Sequence, residues 1–333
     1  MSGTDEQAAT TAPPARRRFR PTTAPGWILL VSVLAVMIVG LAAVTLRFGV
    51  NTAPGLLFLE ARAAGVKVGR FGRLKIEGLS GDVWRNVGVR RLTIADEKGV
   101  WLEASDVSMT WRYHELFVRR FHADAITARE VRVLRRPTLT PKTTSRGLPV
   151  SVEIESLRLP VETLPAFSYR RGLFNTAGRI EVVRRGPITV ALGAASRLHP
   201  GDRLILAIEA GKGRPLKVFA DALEARGGAL AGSLGLRADQ PFMLKVNADG
   251  AAGQGRFTLL AASGPTRPAE ASGAWNARGG SASGRISLAA STLTAGYARR
   301  FGDEVRFSGR GARAPSGLYA IDASLVSDLM SVT

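Results

Sequence analysis

Two hydrophobic patterns divide this chain. Trp27 to Leu46 (WILLVSVLAVMIVGLAAVTL) is twenty residues without a charge. As a helix rising 1.5 Å per residue it reaches about 30 Å, the hydrocarbon thickness of a bilayer. Beyond it, apolar and polar residues alternate in short runs to the last residues, the period of strands that are wet on one face. Between the two, NTAPGLLFLEARAAG predicts a short helix over 52–65. Asn51 or Thr52 caps it, Pro54 suits its first turn and Gly65 its C-terminal end. Leu56, Leu57, Leu59 and Ala63 then face a membrane surface or plug the first strands.

Alternation starts at Arg73-Leu74-Lys75-Ile76-Glu77 and repeats in Arg91-Leu92-Thr93-Ile94-Ala95. Asp96-Glu97-Lys98-Gly99 forms a turn, with Gly99 free to take positive φ. The returning strand carries Val100, Leu102 and Ala104 on one face, then Val107, Met109 and Trp111. The change of parity at Ser105-Asp106 predicts a bulge. WRYHELFVRRF holds one helical turn, and strands resume at Ala125–Ala128 and Val131–Val133. TLTPKTTSRGLP (138–149) is a polar loop, and VSVEIESLRL alternates again. After Ala177, units of 10–14 residues follow, from RIEVVRR through ALAGSLGLRA to LYAIDASL, with Gly, Pro, Asn or Asp at most joints. This predicts an antiparallel meander of roughly 18–20 strands.

Such strands need a dry face. A sandwich or barrel closes within roughly 100–250 residues, whereas this pattern runs from residue 73 onward with little helix to cover it. The expected fold is therefore mainly β: an N-terminal transmembrane helix followed by a long curved antiparallel sheet that forms a groove, not a closed globular domain. The apolar face of that groove requires an occupant, and acyl chains fit it.

Charge sets the orientation. Arg16, Arg17, Arg18 and Arg20 precede the apolar span, and only Arg47 follows it closely. The positive-inside rule then places residues 1–26, a polar disordered tail, in the cytoplasm and the body outside. The span exceeds the apolar core of a cleaved signal peptide and ends in Thr45-Leu46-Arg47-Phe48 without a small-x-small site, so 27–46 reads as an uncleaved signal anchor. The implied location is the inner membrane of a double-membraned bacterium, single-pass, with the bulk periplasmic. The formal charge of +19 comes from 46 Lys and Arg against 27 Asp and Glu, and 39 of the basic residues are arginine. The bias matches GC-rich coding, adds weak attraction to anionic lipid, and indicates no nucleic-acid partner outside the cytoplasm. No cysteine is present, which removes disulfide and thiolate chemistry.

From about Thr45 to Pro137 the chain resembles the N-terminal region of the TamB family, the inner-membrane subunits of the translocation and assembly module. The resemblance lies in the anchor, APGLLFLEARAAG, GRLKIEGLSGDVW, the hairpin DEKGVWLEASDVSMTW, the turn ELFVRRFHA and the strand ending in RRP. It implies an AsmA-like, bridge-type protein whose β-taco groove shields phospholipid acyl chains between the inner and outer membranes. It also implies a link to outer-membrane protein and autotransporter assembly with an outer-membrane barrel partner resembling TamA. Residues 66–137 then form the family's N-terminal β-region and 150–333 a groove continuation. Family members are several-fold longer, so the chain reads as truncated at its C-terminus.

No catalytic constellation is visible. His114, His122 and His199 are scattered, His114-Glu115 lacks the second histidine of a zincin motif, and Gly211-Lys212-Gly213-Arg214 lacks the following Ser/Thr and helix of a phosphate loop. The reading is a non-enzyme without cofactor or metal. Its lipid-groove candidates are Leu74, Ile76, Leu92, Ile94, Leu102, Val107, Met109, Ile126, Val131 and Val133. Arg119, Arg120, Arg135 and Arg136 are candidates for lipid headgroups, against the plainer role of charges that keep a strand edge solvated. Trp84, Trp101 and Trp111 line the groove or pack the first strands. Alternative functions are a scaffold that binds nascent strands or the barrel partner by strand addition and, more remotely, a cell-wall enzyme.

Overall fold

A computed structural model describes residues 35–41, 47–140, 150–251, 253–313 and 319–332. The chain divides into two units, Met1–Gly49 and Val50–Thr333. In the first unit, residues 35–41 and 47–49 are helical. The tail 1–26, the remainder of the 27–46 span and residues 141–149 lie outside the described residues. Among the described residues no helix is long and apolar enough to cross a membrane.

The second unit begins with helix α1 (Ala53–Ala63), whose first turn contains Pro54 and is capped by the Thr52 hydroxyl. The chain leaves α1 through Gly65 at φ +84°. It then pairs with the first strand: Gly65 N–H donates to Leu74 O, and Leu74 N–H donates to Val66 O. The Glu60 carboxylate accepts Leu79 N–H. The helix and its exit thus blunt the open edge of the sheet.

Among the described residues, seventeen strands follow in one sheet. They are β1 (Arg73–Asp82), β2 (Asn86–Asp96), β3 (Gly99–Trp111), β4 (Arg120–Thr127), β5 (Glu130–Val133), β6 (Ser151–Thr163), β7 (Gly172–Val182), β8 (Ile188–Ser196) and β9 (Arg203–Ala210). The remainder are β10 (Leu216–Glu224), β11 (Phe242–Ala251), β12 (Gln254–Ser263), β13 (Thr266–Asn276), β14 (Gly279–Ser287), β15 (Glu304–Arg313), β16 (Tyr319–Ser327) and β17 (Ser331–Val332). Neighbours in sequence pair antiparallel, with one exception that corrects the expected meander. Collinear β4 and β5 share one position between β3 and β6. Both run parallel to β6, because the connection after Val133 brings the chain back and Ser151 pairs with Arg120. A parallel neighbour requires such a crossover; a tight hairpin cannot supply it. No pairing joins β1 to β17 among the described residues, so the sheet is open.

The expected strand ALAGSLGLRA is a second correction. Its residues form helix α3 (Ala229–Ser233) and a turn. Glu224, buried at the end of β10, accepts Leu230 N–H at 2.8 Å and Ala231 N–H at 2.9 Å, which starts the helix. Gly232 allows the helix to touch its neighbour, since a Cβ there would stand 1.7 Å from Ser168 O. Ser168 belongs to helix α2 (Pro165–Ser168), between β6 and β7. The β14–β15 connection adds α4 (Ala295–Phe301). These three connections leave the same end of the strands and meet as one lobe. Thr292 N–H donates to Gly235 O, Ser291 Oγ donates to Leu234 O, and Tyr169 Oη lies 2.9 Å from Thr292 Oγ1. The fully buried core sits beneath the lobe: Ala222 and Phe242 of the sheet against Ala231 and Leu236, with Leu204, Leu230 and Leu244 around them.

Candidate functional site

Directly paired residues share a face of a sheet, so the register sorts the side chains. One row is Leu74, Ile94, Leu102 and Val133. The next is Ile76, Leu92, Ala104, Val131, Val161 and Phe174. A third runs Val87, Met109, Ile126, Leu157 and Gly178. It continues through Leu192, Leu206, Ala220, Val246 and Leu259. Val107 lies opposite Val89, which pairs with Leu79. The ten sequence-derived groove positions therefore all fall on these rows.

The rows also explain the parity change. Leu157 and Val161 sit four residues apart on β6 in unbroken register with β7, hence on one face. They continue the third and second rows, so those rows share that face although residue parity differs between them on β1–β3. The extra residue on each strand is absorbed in place: Gly78 takes φ +70° and Asp106 φ +47°, with Arg90 between them. Because all three strands break together, the ladder keeps its count at Asp106. The register shift of the β2–β3 hairpin lies instead between Ile94 and Ala95, opposite Trp101.

The opposite face is charged. Lys75–Glu77 (2.6 Å), Arg91–Glu103 (2.6 Å), Arg132–Glu162 (2.9 Å) and Arg171–Glu162 (2.6 Å) form an ion-pair ladder across β1 to β7. Further along, Glu209, Lys217, Asp249 and Arg256 share one row of this face and border a surface cleft. The apolar face curves inward. The β6–β7 and β14–β15 connections would stand about 34 Å apart in a flat sheet with 4.8 Å between strands. They meet through Tyr169 and Thr292, over a core made from apolar-face residues. Away from the lobe the large aliphatic residues of the rows, among them Ile76, Ile94, Leu102, Met109, Leu206 and Val246, remain half-buried.

The four arginine candidates are not brought together. Arg119 and Arg120 follow the 3-10 turn Tyr113–Val118 at the end of the sheet opposite the lobe, and both are exposed. Arg135 and Arg136 lie at the lobe end and are committed within the fold. Arg135 grips Asp96 and donates to Gly99 O. Its guanidinium, with the N–H groups of Thr138 and Lys98, holds the Asp96 carboxyl well below the usual carboxylate range. Arg136 donates to Ser233 O at 2.8 Å and Gly232 O at 2.5 Å and stands over the rings of Phe167 and Tyr169. The tryptophans pack the first strands: Trp101 donates to Phe71 O, Trp111 donates to Val83 O, and Trp84 meets Tyr113 edge-on at 5.0 Å.

One cluster was invisible in the sequence. His122 is 5% exposed, with Nδ1 3.0 Å from Glu115 Oε1 and Nε2 2.8 Å from Glu155 Oε1. Both ring nitrogens donate to carboxylates only as imidazolium. Burial works against that charge, but Glu155, Glu153 and Glu115 outweigh it and raise the pKa. His122, Glu153 and Glu155 also bring three possible metal-ligand atoms within 4.8 Å. A cation there must displace the ring proton. It must also compete with Arg112, 2.7 Å from Asp124 and 3.2 Å from Glu155. The arrangement is an ion-pair clamp that ties the 3-10 turn and β4 to their parallel partner β6. Its partners come together only through the parallel joint, and no local spacing signals them. His114 and His199, by contrast, are exposed.

Fold and surface together define a class: an open, curved β-sheet with one apolar and one charged face. No family model, curated protein or solved structure matches the chain.

Proposed function

We propose that this chain is a non-enzymatic, inner-membrane-anchored envelope protein of the TamB and AsmA-like type. In this role its apolar face shelters phospholipid acyl chains on the way towards the outer membrane, or serves outer-membrane protein assembly with a barrel partner, or both. The observation that supports this reading is the set of continuous apolar rows, left half-buried with no covering layer among the described residues outside the lobe. Each CH₂ kept from water is worth about 0.8 kcal/mol, so a sixteen-carbon chain gains on the order of 10 kcal/mol from a sheltered path. The curvature supplies the shelter, and the charged outer face keeps the sheet in solution.

The test is a photo-crosslinking residue at Ile94 or Met109, on the rows, against one at Thr93 or Ser108, on the opposite face. The first pair captures phospholipid in cells and the second does not. Equal capture from both faces, or none from either, would mean that the apolar rows are an ordinary packing surface.

A further inference from the structure

The geometry points to a second lipid contact, outside the groove: the turn Tyr113–Val118 with its flanking arginines docks on the surface of an anionic phospholipid bilayer. This rests on reading 27–46 as a membrane span.

Leu116, Phe117 and Val118 are consecutive and are 42%, 84% and 73% exposed. Phe117 is the most exposed large apolar residue among those described. Such side chains at a loop tip cost solubility unless something covers them. The tip is rigidly presented. Arg119 closes the turn at φ +59° with its N–H on Glu115 O and Leu116 O. Beneath it, Glu115 is held by His122, Tyr113 rests on Trp84, and Arg112 N–H donates to His122 O. These ties hold Glu115, Tyr113 and the Arg112 backbone, while His114, Leu116, Phe117, Val118 and Arg119 are left exposed.

Charge and position select the partner. Arg119 and Arg85 are exposed and make no ion pair among the described residues, while Arg120, exposed beside them, lies 3.6 Å from Glu115 and 3.9 Å from Glu153. An apolar tip within a collar of arginines is the composition of an interfacial membrane contact, in which rings enter the headgroup boundary and guanidinium groups meet lipid phosphates. The turn is also tied to the residues with which the second unit begins. Trp111 N–H donates to Arg85 O, which joins the tip to the β1–β2 turn. On that same turn the Asn51 side chain bonds Asp82 and Val83 N–H. Only Arg47 to Val50 separate Leu46 from Asn51, a reach of at most about 17 Å of extended chain.

The absence of cysteine allows a clean test. The full chain is reconstituted in vesicles of phosphatidylcholine and phosphatidylglycerol. An environment-sensitive fluorophore is placed at Phe117→Cys, at Leu198→Cys on an exposed connection at the lobe end, or at Ser32→Cys in the apolar segment. The Phe117 and Ser32 labels shift to the blue and are quenched by lipids carrying nitroxide groups, and the Leu198 label is not. Arg85→Glu with Arg119→Glu removes most of the Phe117 quenching and leaves that of Ser32. Quenching at Ser32 but not at Phe117 overturns the docking tip while the anchor stands. Quenching at neither overturns both, and equal quenching at Phe117 and Leu198 overturns the assignment to this turn.

Discussion

Arg136→Ala tests whether the lobe is clasped as the geometry implies. The guanidinium contributes two charge-assisted hydrogen bonds, to Gly232 O and Ser233 O, and stands 5.7 Å from the ring centroids of Phe167 and Tyr169. Hydrogen bonds to charged groups are worth about 1.5–3 kcal/mol each, at the low end here because Arg136 is only half-buried. A cation–π contact adds about 0.5–1 kcal/mol. Allowing for shared geometry, the clasp is worth about 2–4 kcal/mol. The loss is local, because these bonds hold the β10–β11 connection and not the sheet ladder. At about 1.4 kcal/mol per tenfold, amide hydrogen exchange at Ala231 to Gly235 accelerates roughly thirty- to several-hundred-fold. Exchange in the β7–β8 ladder stays unchanged. Arg136→Lys keeps the charge but loses the fork and the stacking, and falls between. Exchange at Ala231 to Gly235 unchanged within about twofold, or accelerated equally across the sheet, would refute the clasp.

Three further substitutions have outcomes set by the same packing. Ile94→Asp puts an unpaired charge between Leu74 and Leu102, at a cost of several kcal/mol to any acyl chain in contact. It abolishes lipid capture at a Met109 photo-crosslinker while circular dichroism keeps its β signal; capture intact in a folded variant favours the scaffold reading. His122 has a raised folded pKa, so its stabilisation is complete below its unfolded value near 6.5 and is lost as pH rises through the folded one. The urea midpoint difference between the natural chain and His122→Gln shrinks as pH rises above about 6.5, and a difference independent of pH would exclude the imidazolium. Gly232→Ala drives a Cβ to 1.7 Å from Ser168 O and destabilises the lobe by about 1–3 kcal/mol or more, read as exchange at α3; an unperturbed lobe would show that α2 and α3 separate freely.

Local chemistry determined much of this protein. Alternation alone gives the strand class and the shared face of the ten apolar candidates, because side chains on a strand change face at every residue whatever its neighbours are. Thr52, Pro54 and Gly65 specify α1 for equally local reasons. Even the parity change at Asp106 is legible, though its form is not. Whether one strand bulges or three break together depends on Gly78 and Arg90, which are brought alongside only by pairing. The parallel placement of β6, the conversion of ALAGSLGLRA from strand to helix, the burial of His122 between Glu115 and Glu155, and the separation of Arg119 and Arg120 from Arg135 and Arg136 were decided by tertiary structure. Each depends on contacts between residues tens of positions apart. A run of Ala, Gly and Leu has no strong preference of its own, so a buried carboxylate and a neighbouring carbonyl set its conformation. Local period determines which face a residue occupies; only the closed set of long-range hydrogen bonds determines what that face meets.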